Sequence, residues 1–188
     1  MTTMTTTTRY TRVAIALHWL IALAIFANLA LGFYMADLDV SPQKLRLYSY
    51  HKWLGVTVFL LVLVRVAWRL THRPPALPGT MRWWERTAAG VTHTLLYVLT
   101  LSVPLTGWLH SSTKGFKTVY LGLLPIPDLL GKDAVLAPAL RDWHENLNLI
   151  MLALVILHVG AALKHMLVGH DNVFGRMVPG IKPPKVKP

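Results

Sequence analysis

The stretch His144-Glu-Asn-Leu-Asn-Leu-Ile-Met-Leu-Ala-Leu-Val-Ile-Leu-His158 is an apolar run closed at each end by a histidine. Fourteen helical steps of about 1.5 Å and 100° place the two imidazoles ~21 Å apart and within ~40° of one face. Both rings then point into the same helix-bundle interior. A separation of ~21 Å is about two-thirds of a bilayer's hydrocarbon core of ~30 Å, so each ring belongs to one side of a membrane. Such a helix can carry one ligand to each of two stacked metal sites, provided that other helices supply the opposing ligands.

The rest of the chain agrees with a membrane setting. A hydrophobic content of 54% over 188 residues and a mean hydropathy of +0.46 are too apolar for an ordinary soluble domain. The formal charge of +11 does not indicate nucleic acid, because a nucleic-acid binder does not carry several apolar runs of about twenty residues. The chain has no cysteine, which excludes disulfides, thiolate-bound metals, iron-sulfur clusters and covalently attached haem. Histidine, methionine or oxygen must hold any metal.

Hydropathy and proline placement predict an all-α membrane protein, a bundle of four transmembrane helices over residues 13–35, 47–70, 88–109 and 142–168. The first run follows Arg9 and Arg12 and has no cleavage pattern at its end, so it reads as a retained span. Pro74, Pro75, Pro78 and Gly79 interrupt the chain after the second. Pro104 is expected to kink the third. The connection 110–141 is too broken by prolines to span, and one or two short interfacial helices are expected in it. Residues 1–170 form one domain, and 171–188 are a basic tail expected to be poorly ordered.

Four spans put both termini on one side. That side collects Arg9, Arg12, Arg65, Arg69, Arg73, Arg82, Arg86, Lys164, Arg176, Lys182, Lys185 and Lys187, against Lys44, Arg46, Lys52, Lys114, Lys117, Lys132 and Arg141 on the other. Excess Lys and Arg mark the cytoplasmic face. Both termini are therefore expected in the cytoplasm.

Depth then pairs the histidines. His51 at the start of span two shares the outer level with His144, while His18 in span one shares the inner level with His158. Each pair comes from two helices, which suits two non-covalent b-type haems, each with an axial imidazole on either face. Ionisable residues inside spans are costly and point to function. Depth alone leaves His165 open as the inner partner, because seven residues beyond His158 it returns to nearly the same face. Arg65, fourteen residues after His51, either pairs with a haem propionate or snorkels to the interface. Gly55, one turn after His51, gives room for a porphyrin edge. His93 has no histidine at matched depth; it either serves protons and quinone or bonds a neighbouring helix. His72, His110 and His170 fall in loops or tails.

The segments ALHWL with His18, YHKWLG with His51, LVRVAWRL with Arg65, VTHTLLY with His93, and the pair His144 and His158 followed by KHM and HDN resemble the bacterial cytochrome b561 family over nearly the whole chain. The resemblance implies two haem b groups, ligated by His18 with His158 and by His51 with His144, which selects His158 over His165. It also implies electron transfer between a periplasmic-side donor and membrane ubiquinone, with superoxide oxidation as the leading activity. The alternative is a b-type subunit that docks a dehydrogenase or hydrogenase. For superoxide, the cations near the outer helix ends are Lys44, Arg46, Lys52, Lys114 and Lys117. Carboxylates nearby almost balance them, so any anion attraction must be local.

Overall fold

The computed structural model describes residues 9–79, 81–168 and 173–178. Among these, four long helices carry the fold: α1 (Arg12–Ala36), α2 (Pro42–Thr71), α3 (Trp83–Lys114) and α4 (Leu136–Leu167). A small hairpin of β1 (Thr118–Tyr120) and β2 (Leu124–Ile126) lies between α3 and α4, and a single 3-10 turn, Phe174–Arg176, follows α4. Every helix contains an 18-residue window of mean hydropathy between 1.4 and 2.2. Only 28% of that window in α1 and 6% in α4 is buried within the bundle. Most apolar side chains therefore face outward, which in water would cost about 25 cal/mol per Å² but in lipid costs nothing.

Each helix is longer than the apolar run inside it, because polar residues make the ends. The Thr11 hydroxyl accepts the Ala14 N–H at 3.2 Å and that of Ser41 accepts Lys44 N–H at 3.2 Å. These bonds satisfy N–H groups that the first helical turn cannot. Pro42 follows Ser41 at the first helical position, where its missing N–H costs nothing. At the start of α3 the Glu85 carboxylate accepts the Arg82 N–H at 3.0 Å. The Asp133 carboxylate takes the N–H groups of both Val135 and Leu136 at 2.9 Å, so α4 begins six residues before the expected 142. Gly115, at φ 73°, closes α3, the left-handed conformation that lacks a penalty only for glycine.

α1 packs along α2, α3 packs along α4, and α2 joins the two hairpins through a lighter contact with α3; neither α1 nor α2 lies close along α4. Side-chain bonds fix each register. On the α3–α4 pair, His110 Nδ1 lies 2.9 Å from the Ala137 carbonyl at one end, and Lys164 pairs with Glu85 at 2.5 Å at the other. His110 is thus part of α3 rather than of a loop. On the α1–α2 pair, the Trp68 indole donates to the Thr11 hydroxyl at 2.9 Å, and Lys44 donates to the carbonyls of Ala36 and Leu38. Between the ends, Leu29, Leu99, Val103 and Met151 bring α1, α3 and α4 together in one apolar cluster, and Ile21, Val58 and Val62 pack α1 on α2.

The loop after α3 differs from expectation, since a hairpin replaces the expected short helices. Thr118, Val119 and Tyr120 are β-branched or aromatic, while Pro125 and Pro127 cannot continue a helix. Positive φ at Leu121 (54°) and Gly122 (73°) turns the chain. The Trp53 indole donates to Val119 O at 2.7 Å, Lys52 to Phe116 O at 2.9 Å and Trp108 to Pro127 O at 3.1 Å. These three bonds hold the loop against α2 and α3. After α4, residues 173–178 are also held, by Trp19 Nε1 to Met177 O at 2.7 Å and Arg9 to Val178 O at 2.5 Å. His170 and the tail beyond 178 lie outside the described residues.

Asp133→Ala removes the acceptor for two N–H groups at the start of α4. It is expected to cost about 1 kcal/mol and to lower the thermal midpoint of the detergent-solubilised protein by about 2–4 °C, as read by circular dichroism.

Candidate functional site

The gap between α4 and the α1–α2 hairpin is bridged by imidazoles at two levels. His51 of α2 faces His144 of α4 with ring centres 6.1 Å apart and planes at 85°. His18 of α1 faces His158 of α4 at 6.2 Å and 86°. All four rings are partly buried. Two imidazoles bound on opposite sides of one iron, at about 2.0 Å each, have ring centres about 6.3 Å apart. The two pairs therefore match each other and the spacing that a shared axial metal requires, and perpendicular planes can both contain one axis.

Local bonds orient the His51–His144 pair. Nδ1 of His144 lies 2.9 Å from the Val103 carbonyl, which can only accept, so Nδ1 carries the proton. That leaves the Nε2 lone pair for a metal, as the outer bonds of a metal-ligating histidine usually arrange. Nδ1 of His51 is buried without a hydrogen-bond partner among the described residues, and so is Oδ1 of Asn28. Glycines on neighbouring helices make the rings fit. A Cβ on Gly107 would sit 2.9 Å from Cε1 of His144, and one on Gly32 would sit 3.3 Å from Cε1 of His51. A side chain at 107 would force the His144 ring to shift, and one at 32 would need the His51 ring to give by a few tenths of an ångström. Gly55, singled out in the sequence, faces the Asn28 amide at an ordinary 3.9 Å.

At the inner level a third imidazole joins the pair. His93 lies with its ring centre 5.2 Å from that of His158, although its position in the apolar run left it without a partner. The run 88–109 misplaces its depth, because α3 starts five residues earlier, at Trp83, and the Glu85–Lys164 pair sets the register against α4. Arg65 does not reach out to the interface. Its Nε donates to the Tyr97 hydroxyl at 3.0 Å and its Nη1 to Ala14 O at 2.8 Å, four residues before His18. It thereby ties α1, α2 and α3 beside the inner pair. Of the outer cations, Lys44 and Lys52 are engaged with backbone carbonyls, whereas Arg46, Lys114 and Lys117 are exposed.

Sequence reasoning passed over Asn28, Gly32, Tyr97 and Gly107. A carboxamide inside an uncharged span was a signal for Asn28; glycines are too common in membrane helices for Gly32 and Gly107 to stand out. Among the described residues, no group of three or more His, Cys, Asp or Glu is arranged to hold a bare metal ion. Paired imidazoles suit a metal whose other ligands come from a planar macrocycle. Four membrane-length helices make this a multi-pass membrane protein, and its paired imidazoles would suit b-type haem.

Comparison with known proteins gives the family. The model for prokaryotic cytochrome b561 matches residues 9–180. The chain is 29% identical to cytochrome b561 homolog 2 of Escherichia coli, over 90% of this chain and 91% of that protein. It is 31% identical to cytochrome b562 of Cereibacter sphaeroides over 93% and 98%, and 24% identical to a probable superoxide oxidase of Yersinia pestis over 91% and 96%. This chain belongs to the prokaryotic cytochrome b561 family, and its function is electron transfer in a membrane with b-type haem.

Gly107→Val puts a branched side chain where the His144 ring now lies. The substitution is expected to displace that ring and lower the ratio of haem to protein, by absorbance, while far-ultraviolet circular dichroism keeps its helical signal.

Proposed function

We propose that this chain is a superoxide:ubiquinone oxidoreductase of the bacterial inner membrane, holding two haem b groups with both termini in the cytoplasm. The observation that carries the reading is the pair of matched imidazole bridges, at 6.1 and 6.2 Å, on two levels of one helix. The similarity to a probable superoxide oxidase supports the substrate, and the distribution of Lys and Arg supports the orientation. In the balanced reaction, two superoxide anions each give up one electron and leave as dioxygen, while one quinone takes two electrons and two protons to become quinol.

The bound haem supplies reversible one-electron transfer. The protein supplies the rest. His51 with His144 and His18 with His158 would hold the two haem irons. Arg65, whose Nε and Nη1 are engaged by Tyr97 and Ala14, would meet a propionate with its remaining guanidinium nitrogen. His93, beside His158, is placed to pass protons toward quinone. Arg46, Lys114 and Lys117 draw the anion to the outer end, an effect that raises on-rates and weakens with salt. Superoxide needs only close approach to the outer site, so no general base is required there.

His51→Ala or His144→Ala is expected to lose the outer haem and about half of the total while sparing most of the inner one, and His18→Ala or His158→Ala to do the reverse. Equal loss of both from every variant would defeat the pairing. The purified protein, mixed with superoxide and excess ubiquinone, is expected to form quinol at a rate that falls as salt is added. A protein that stays oxidised with superoxide but is reduced by a soluble or membrane dehydrogenase is instead an electron-transfer subunit.

A further inference from the structure

At the end of the bundle where α1 begins and α2 finishes, a cavity of about 250 Å³ is lined by Arg9, Arg65, Arg69 and Arg73, with Trp68 and Tyr97 among its walls and no Asp or Glu. The guanidinium centres of Arg65 and Arg69 lie 5.9 and 5.6 Å from the centre of the same Tyr97 ring. Two like charges are thus gathered on one aromatic face. The ion pairs among the described residues are Arg141 with Glu145 and Lys164 with Glu85, so none of the four arginines is neutralised by a carboxylate. Nε of Arg9 is buried with no hydrogen-bond partner.

Converging guanidiniums repel one another, and the repulsion is strongest near a low-dielectric boundary. An anion with several oxygens removes it, because guanidinium forks match phosphate in shape and charge. We propose that this cavity binds the phosphate of an anionic phospholipid. The depth selects a lipid over a soluble anion. Arg69 and Arg73 flank the last residue of α2, Thr71, where the apolar span stops. Leu70, between them, is 81% exposed, so an apolar surface for an acyl chain adjoins the cationic mouth. Basic pockets between membrane helices are suited to acidic headgroups. Arg65 lies one turn deeper, toward His18, which leaves Arg69 and Arg73 to the lipid whether or not Arg65 meets a propionate.

The test is native mass spectrometry of the haem-loaded full chain in detergent, titrated with phosphatidylglycerol, with phosphatidylcholine of the same acyl chains, and with inorganic phosphate. Phosphatidylglycerol is expected to bind about 25-fold tighter than phosphatidylcholine, and Arg69→Gln with Arg73→Gln to erase that preference, at about fivefold per arginine. The haem absorbance should be unchanged. Equal binding of the two lipids, or a preference that survives the double variant, would overturn the assignment. Inorganic phosphate displacing phosphatidylglycerol at equal concentration would overturn it in favour of a soluble anion. If the double variant fails to retain haem, Arg73→Gln alone, beyond the helix end, is expected to weaken the lipid preference about fivefold.

Discussion

A polar ring inside an apolar bundle must be satisfied there, since burying an unpaired polar group costs several kcal/mol where no water can compensate. This constraint governs His18, His51, His93, His144 and His158. The protein sets four of these rings in two pairs across one gap, each pair joining α4 to a different helix of the α1–α2 hairpin, and it bonds His144 Nδ1 to the Val103 carbonyl while His51 Nδ1 has no partner among the described residues. Because neither α1 nor α2 lies close along α4, these bridges add to the α2–α3 contact and the Arg65–Tyr97 bond in joining the two halves of the bundle. An apolar cluster around Leu29, Leu99, Val103 and Met151 fills the space between.

The bridges work only if both helical hairpins keep their register. On one side, His110 with Ala137, His144 with Val103 and Glu85 with Lys164 hold α3 antiparallel to α4 along its whole length. On the other, Trp68 with Thr11, Arg65 with Ala14 and Gly32 against His51 do the same for α1 and α2. A slip of one residue in either pair moves a ring by about 1.5 Å and 100°, enough to take it out of line with its partner. Glycines at 32 and 107 are part of this register, because they let a ring lie against a helix backbone.

Function follows from the same placement. One helix face carries His144 and His158 to two depths of the bundle without any loop, the spacing that the proposed pair of haem sites would use. Cations divide by role. Arg65 and Lys164 tie helices together, Lys44 and Lys52 secure chain turns at the other end, and Arg9, Arg69 and Arg73 join Arg65 around a cavity with no acidic wall.

The sequence by itself determined four membrane spans, the absence of thiolate chemistry, and the shared face of His144 and His158, because hydropathy and helical periodicity are local properties of the chain. Counting residues also set His18 level with His158 and His51 level with His144, the rings that face each other at 6.2 and 6.1 Å. Tertiary structure decided what counting could not. His93 came to lie against His158 through an ion pair formed 79 residues apart, Glu85 with Lys164. Arg65 was drawn inward by Tyr97 and Ala14 on two other helices. The loop after α3 became a hairpin once Trp53, Lys52 and Trp108 bound its carbonyls. Each outcome depends on groups distant in sequence meeting at a fixed register, and no pattern within one helix encodes that register.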